Sequence, residues 1–349
     1  MKKNKNSYRI DQKYLLNTLK KILEIPSPSG YTKDVMAALA AEAEKLGYKH
    51  SANRKGGLLI HVPGKSKKTV CVSVHADTNG AMVSSIESGG NLRFKRVGGP
   101  ISATLDSEYC TIISRKNNKE FRGTILSDSP SSHVYPDAGS RKRDTDNMYI
   151  RLDADVCSKD DTLALGIAPG DYVAIDVKFE RAGGFVKSRF LDDKASVATV
   201  MSVLKYLFDN KLKPQDNLIM MCTNFEEVGH GAAYIPEEIE EMLAVDMGCI
   251  GLDLSCTEKD VSICAMDSSG PYDYELTNKL IALASAHNIP HAVDIYPMYG
   301  SDASAAMRGG NNIRAALIGP GIQASHGMER THETALYATA ELILHYLGV

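Results

Sequence analysis

Apolar positions near the start of the chain recur first at helical and then at strand spacing. Tyr14, Leu15, Leu19 and Leu23 fall on one helical face, and Ile25-Pro26-Ser27-Pro28-Ser29-Gly30 ends that helix because two prolines forbid its continuation. Thr32 is placed to cap a second helix with Val35, Met36, Leu39, Ala43 and Leu46 on its apolar face and Gly47 at its end. Residues 57–62 and 69–74 read as strands, the second running into His75. Helices alternating with buried strands indicate an α/β layered domain.

The texture changes between about residues 82 and 184. Short β-type runs at 109–114, 121–126, 147–152 and 172–179 are separated by turns such as Lys116-Asn117-Asn118-Lys119, and one short helix is expected at 159–165. This pattern reads as a small all-β module set into the first domain. The α/β unit then comprises 1–81 and 185–349, and the insert 82–184. Alternation resumes at Lys187, with helices at 195–207, 274–287 and 334–347 and strands at 218–223, 243–247 and 315–318. No internal repeat is visible.

Composition narrows the class. The chain has 349 residues, 40 Lys+Arg against 43 Asp+Glu, 43% hydrophobic and 24% charged residues, which is ordinary for a soluble globular protein. Its length suggests two domains. With a net charge of −3 there is no basic excess to neutralise phosphates, so nucleic acid is not an expected partner. Seven cysteines are scattered without a C-x-x-C pair, which excludes a zinc ribbon and argues against a disulfide framework. Cys71 in TVCVSV and Cys222 in LIMMC sit in apolar runs and read as small hydrophobes. The basic N-terminal stretch lacks a long apolar core and a small-residue cleavage site, so it does not read as a secretory leader. No run approaches the ~18 apolar residues that a membrane span needs. The expectation is a cytoplasmic protein with no membrane partner.

The candidate chemistry gathers where apolar runs end. His75-Ala76-Asp77, Asp192-Asp193, Glu226-Glu227 and Asp246 each follow a strand or open a helix, and Ser325-His326 through Thr331-His332 precede the last helix. Two divalent ions close together need a bridging carboxylate, further N or O ligands on each, and a base for the water between them. Asp192 is a good bridge; His75 and Asp246 could complete one site, and Glu227 and His326 the other. Adjacent side chains of an extended segment point apart, so one glutamate of the 226–227 pair can ligate while the other serves as general base. In His75-x-Asp77 the aspartate can hold the second imidazole nitrogen. Taken singly, each cluster has an ordinary explanation: a chance H-x-D, a solvated Glu-Glu face, an Asp-Asp pair complementing a helix dipole. It is the ordered combination that points to metal-dependent hydrolysis.

The ordered segments VHADTNGAMV, FLDDKASV, NFEEVGHGAA, AVDMG, YGSDASAA and SHGMERTHE resemble the M42 family of dinuclear metallo-aminopeptidases, which includes glutamyl and deblocking aminopeptidases. The likeness runs from IPSPSG to the last helix. It implies a three-layer α/β/α metallopeptidase domain interrupted by a small PDZ-like β-barrel, the insert serving oligomerisation and substrate access. It further implies that His75 is the first metal histidine, Asp77 its orienting aspartate and Asp192 the bridge. Glu226 matches the general base, Glu227 a ligand of one metal, Asp246 a ligand of the other and His326 the last ligand, with Glu329 matching a downstream glutamate. Family members often carry R-Y-x-H-S where this chain has Ala324-Ser325-His326-Gly327, which leaves His332 as an alternative ligand and bears on the pocket for the substrate N-terminus. The implied cofactors are two divalent ions, zinc or cobalt, with manganese also compatible. The implied reaction is hydrolysis of the N-terminal peptide bond of peptides, and the implied assembly a homo-oligomer built from dimers, up to a tetrahedral dodecamer.

Three other readings differ in what they leave unexplained. A metal-dependent amidase of acylated amino acids would use the same ions. A glycoside hydrolase pairing Glu226 or Glu227 with Asp192 or Asp193 would leave His75, Asp246 and His326 without a role. A silent scaffold would be expected to have lost the base or the bridge, and both are present. Elsewhere, His133 reads as a surface or structural histidine, Asp302 as a helix N-cap, His230 as a possible site-lining residue and Arg141-Lys142-Arg143 as a solvated loop.

Overall fold

The structure is a computed structural model and describes residues 8–349; the first seven residues, part of the stretch weighed for a leader, lie outside the described residues. Helix α1 (Gln12–Leu23) starts at Asp11, whose side chain accepts the Tyr14 N–H, and buries Leu15, Leu19, Ile22 and Leu23. Helix α2 (Lys33–Lys45) follows Thr32, which holds the cap position but makes no side-chain capping bond. Strands β1 (Lys49–Ala52), β2 (Leu58–Val62) and β3 (Thr69–His75) come next. All of β3 is buried, because both faces of its sheet are covered. Val70, Val72 and Val74 enter the main core on one face, and Cys71 enters a second core on the other.

After β3 the chain leaves the sheet. Strands β4 (Gly80–Ile86), β5 (Leu92–Val97), β6 (Tyr109–Ile113), β7 (Glu120–Ser127), β8 (Met148–Leu152) and β9 (Tyr172–Ile175) close a barrel in the order β4-β5-β8-β7-β6-β9. Helix α3 (Lys159–Leu165) precedes β9, which ends at Ile175 rather than continuing to 179. Val83, Phe94, Ile112, Ile125, Ile150 and Val173 fill a core separate from that of the sheet. The basic run at 141–143 is not simply solvated. Arg141 pairs with Asp137 and Asp128, Lys142 with Asp144, and Arg143 with Asp106 at 3.0 Å, which ties the long loop after β7 to the barrel.

The return to the sheet passes through β10 (Glu180–Ala182), β11 (Phe185–Ser188) and α4 (Leu191–Asp209). There follow β12 (Asn217–Thr223), β13 (Ile239–Val245), β14 (Gly248–Cys249), β15 (Val261–Asp267), β16 (Gly270–Pro271), α5 (Tyr274–Ala286), β17 (His291–Ile295), α6 (Asp302–Arg308), β18 (Arg314–Ile322), β19 (Glu329–His332) and α7 (Glu333–Tyr346). The main path through the sheet is β1-β2-β12-β3-β13-β18-β15-β16, with β12, β3, β13 and β18 parallel. Helices α1, α4 and α7 pack together on one face, with α4 against β3, while α6 packs on the other against β3 and β13. The architecture is therefore α/β/α with a barrel set between β3 and α4. All seven cysteines are free, and no helix among the described residues is long and apolar enough to cross a membrane.

Candidate metal centre

Three neighbouring parallel strands deliver chemistry at one edge of the sheet, where an open α/β sheet places its ligand crevice. His75 ends β3 in the middle, level with Thr223 at the end of β12. Two residues past Thr223 the chain turns at Phe225, in the left-handed region at φ 71°, and presents Glu226 and Glu227. Asp246 follows β13 on the other side of β3. Behind them, Asp192 and Asp193 open α4 with non-helical backbone angles.

The side chains converge. His75 Nε2 lies 3.2 Å from Asp192 Oδ1, 3.6 Å from Glu226 Oε2 and 3.9 Å from Asp246 Oδ1. His326 Nε2 lies 3.5 Å from the other Asp192 oxygen and 3.5 Å from Glu227 Oε2. Asp192 thus stands between two imidazoles. Ligand atoms of His75, Asp192 and Glu227, and separately of His75, Asp193 and Asp246, all fall within 4.8 Å of one another. His332 takes no part; its Nδ1 accepts the Thr334 N–H at the start of α7.

The supports of this cluster differ in part from the sequence expectation. His75 Nδ1 is held by the main-chain oxygen of Asp77 at 2.9 Å, while the nearer Asp77 carboxylate oxygen is 3.6 Å away. The Asp77 carboxylate instead accepts the Ser29 hydroxyl at 2.6 Å and the N–H groups of Glu226 and Glu227, so it shapes the turn that carries the glutamate pair. That pair sits in a tight turn rather than an extended segment, and its two carboxylates still reach different histidines. Glu329 clamps the segments that carry Asp192 and His326 at once, accepting the Asp192 N–H at 2.9 Å and the His326 N–H at 3.0 Å. Asn79 donates to Glu227 at 2.9 Å, and Gly99 O bonds His326 Nδ1 at 2.9 Å.

Other tempting residues find ordinary places. Asp302 is not the cap of α6: Ser301 caps it, in a reciprocal pair with Ser304, and Asp302 turns inward to accept from Ser73, Thr223 and the Ala232 N–H. His230 is exposed and stacks on Phe225, and His133 is exposed on the loop after β7. Asp193, singled out in the sequence as half of the Asp192-Asp193 pair but given no ligand role, accepts the His75 N–H at 3.1 Å, and sequence reasoning missed Tyr299, which lines the same cavity. Asp193 carried a signal as the neighbour of Asp192; Tyr299 lies in a loop with no chemical pattern.

Charge is concentrated here beyond what two imidazoles offset. Burial is the main cause that pushes Glu226, Asp193 and Glu329 well above the usual carboxylate range. Burial, then the charge of Asp192, raises Glu227 to about 8 and Asp246 to about 7. Burial opposes ionisation of Asp192 as well, but hydrogen bonds from His326 and His75 outweigh it and hold this carboxyl below its ordinary value. Burial also works to lower both histidines. Glu226 and Asp192 overcome it at His75, which rises well above its usual value, and Asp192 overcomes it at His326, raised to about 10. One oxygen of Asp193 is buried with no hydrogen-bond donor. Five carboxylates and two imidazoles converging from several loops, with an orphaned oxygen among them, form a donor set suited to divalent cations. A cavity of about 220 Å³ opens over the cluster, lined also by Gly229, Met298, Tyr299, Gly300 and Arg308.

The fold has close counterparts. A TET aminopeptidase from a marine-sediment thaumarchaeon superposes with a TM-score of 0.86 at 19% identity, over 95% of each chain. The Pyrococcus horikoshii TET1 peptidase, described as able to assemble into a tetrahedron or a large octahedral shell, gives 0.80 at 24% identity, over 95% of this chain and 99% of that one. At these identities the likeness shows the fold. In sequence, the Bacillus subtilis (strain 168) protein named "Putative aminopeptidase YhfE" is 42% identical over 95% of this chain and 96% of its own length. The profile of the family described as M42 glutamyl aminopeptidase matches residues 56–342. Matched in this way over most of its length, the chain belongs to the M42 family and is a hydrolase that acts as an aminopeptidase.

Proposed function

We propose that this aminopeptidase hydrolyses the N-terminal bond of peptides with two divalent ions per chain. His75 and Asp246 would hold one ion, Glu227 and His326 the other, and Asp192 would be shared. The observation that carries this reading is the position of Asp192, one oxygen facing each imidazole at 3.2 and 3.5 Å within a buried acidic cluster. His, Asp and Glu donors suit zinc or cobalt, with manganese compatible. Bound there, the ions would polarise the peptide carbonyl and make a water acidic enough to attack it.

The protein's own groups account for the proton transfers. Glu226 lines the cavity and is pushed above its ordinary range first by burial, the direction that makes a carboxylate a stronger base. It takes a proton from the attacking water at a carboxylate oxygen and hands it to the departing amine. Asp77 holds the Glu226 and Glu227 N–H groups, and so keeps the two carboxylates aimed at separate histidines. With the ions bound, the substrate's free N-terminus would be held beside them, which confines cleavage to the first bond. The test is a panel of aminoacyl p-nitroanilides and short peptides assayed with the apo protein and with each metal in turn. Turnover that is unchanged after complete metal removal would overturn the reading.

Assembly and address follow the same logic. The P. horikoshii peptidase is described as able to assemble into a tetrahedron or a large octahedral shell, and we carry to this chain a dimer-built homo-oligomer of up to twelve copies, a tetrahedral dodecamer. In this reading residues 82–184 serve association and substrate access. Deleting them should leave a folded α/β core that no longer assembles, checked by light scattering; an unchanged oligomer, or a core unable to fold, contradicts this role. Seven free cysteines suit a reducing compartment and support a cytoplasmic address.

A further inference from the structure

The cavity over the cluster is electrostatically one-sided. Asp192, Glu226, Glu227 and Asp246 line it, and among its described lining residues the one permanently cationic side chain is Arg308. Arg308 is the last residue of α6, a helix fixed at its other end by the Ser301–Ser304 capping pair, by a 2.7 Å bond between Ser301 and Tyr272, and by the inward bonds of Asp302. Arg308 Nη2 lies 3.8 Å from where a Cβ on Gly300 would stand, which places the guanidinium beside the loop that leads into α6. The exposed Arg308 side chain makes no hydrogen bond or ion pair with any described residue, although four carboxylates line the same cavity.

We propose that Arg308 is a specificity-determining residue that binds a carboxylate carried by the peptide substrate. This rests on the aminopeptidase reading of the same cavity. An unpartnered guanidinium presents a planar fork of donors that matches a carboxylate bidentately. In that reading the four carboxylates are engaged with the ions and the attacking water, which leaves Arg308 as the cavity's group for receiving negative charge from the substrate. Complementing the helix dipole would also place a cation at the end of α6, but any cation would serve there and it need not line the cavity. Two parts of a substrate supply the required chemistry: an acidic first side chain, or the C-terminal carboxylate of a short peptide.

The experiment compares the metal-loaded wild type, Arg308→Gln and Arg308→Lys on four substrates: Glu-p-nitroanilide, Leu-p-nitroanilide, the dipeptide Leu-Leu and its C-terminal amide. In Arg308→Gln, one selectivity ratio of kcat/KM, Glu- over Leu-p-nitroanilide or Leu-Leu over its amide, should fall about 10- to 100-fold, the scale of a lost charge-assisted hydrogen bond. The change should appear in KM, with Arg308→Lys in between because it keeps charge but not the fork. A fall in the first ratio places the carboxylate on the first side chain, a fall in the second places it at the C-terminus, and a fall in both assigns both to Arg308. If both ratios stay at their wild-type values, the proposal is overturned while turnover by the wild type upholds the aminopeptidase reading. A metal-loaded wild type that cleaves none of the four would instead remove that reading, and this proposal with it.

Discussion

His75 and His326 face the same aspartate from opposite sides, yet two unlike pieces of structure deliver them. His75 is the last residue of a strand flanked by parallel neighbours, only 2% exposed, and its position follows from the register of β3 with β12 and β13. His326 lies in a loop at φ 64°, its side chain 36% exposed, and depends on braces from just beyond its own loop and from distant parts of the chain. Those braces are Glu329 on its N–H, Gly99 O on its ring, and buried Arg189, which donates to the neighbouring Gly327 O at 3.2 Å and pairs with Glu108. A strand-end ligand is positioned by the same hydrogen bonds that make the core. A loop ligand needs side chains recruited for that purpose, and these can be removed while the core stays intact.

The variant expected to do most damage affects both halves together. Asp192→Asn replaces the carboxylate we propose to be shared with a neutral amide, so both ions should be lost or weakly held and turnover should fall to background. Metal analysis decides the point: two tightly bound ions in this variant would mean that Asp192 is not shared. Glu226→Gln comes next. Metal content should stay near wild type while turnover falls about 10²- to 10⁴-fold, the range for a lost general base. Glu227→Gln should shed the ion on the His326 side first. If Glu226→Gln stays active while Glu227→Gln keeps both ions and is dead, the two roles are exchanged.

A smaller effect isolates the bracing itself. Glu329→Gln keeps the shape but leaves one acceptor for two N–H groups, and should weaken ion binding on the His326 side by about 10- to 100-fold, as outer-shell changes do. Equal loss at both sites would show that the strand-held half needs the same brace. Least disruptive is the titration of His345, a histidine outside the cluster. Burial, then the charge of His287, lowers it to about 4, whereas Asp192 raises His326 to about 10 despite burial. The His345 ring favours the neutral form when folded, so its contribution to stability is present above its unfolded pKa of about 6.5 and is lost as pH falls through about 4. NMR titration of the ring checks this, and a midpoint near 6.5 would refute it.

Legibility in the sequence followed the same division. The strands carrying His75 and the glutamate pair are apolar runs that stop at their chemistry, and both were readable with their ends within one residue. For β13 the expected start was 243, but the strand begins at Ile239. The charged pair Glu240-Glu241 hid it, although Glu241 is buried and accepts the Tyr346 hydroxyl at 2.8 Å. Barrel strands β4 and β5, rich in Gly, Ser, Arg and Lys, went unseen because neither has a continuous apolar stripe, and the small-residue helix α6 was signalled only by its start, with the cap read at Asp302 instead of Ser301.

Local pattern determined which residues close buried runs, and therefore the order His75, Asp192, Glu226-Glu227, Asp246 along the chain. It also set the alternation of layers and the interruption by a β-rich stretch, since periodicity reports what each segment must bury. Tertiary structure alone decided that β12 and β13 flank β3, that the main-chain oxygen of Asp77 rather than its carboxylate bonds the His75 ring, and that His326 instead of His332 turns toward Asp192. It also decided that Arg308 comes to line the same cavity. Apart from the local Asp77–His75 bond, these are pairings between segments far apart in sequence. Strand register and loop braces create them, and no periodicity within a single segment encodes which distant partner it will meet.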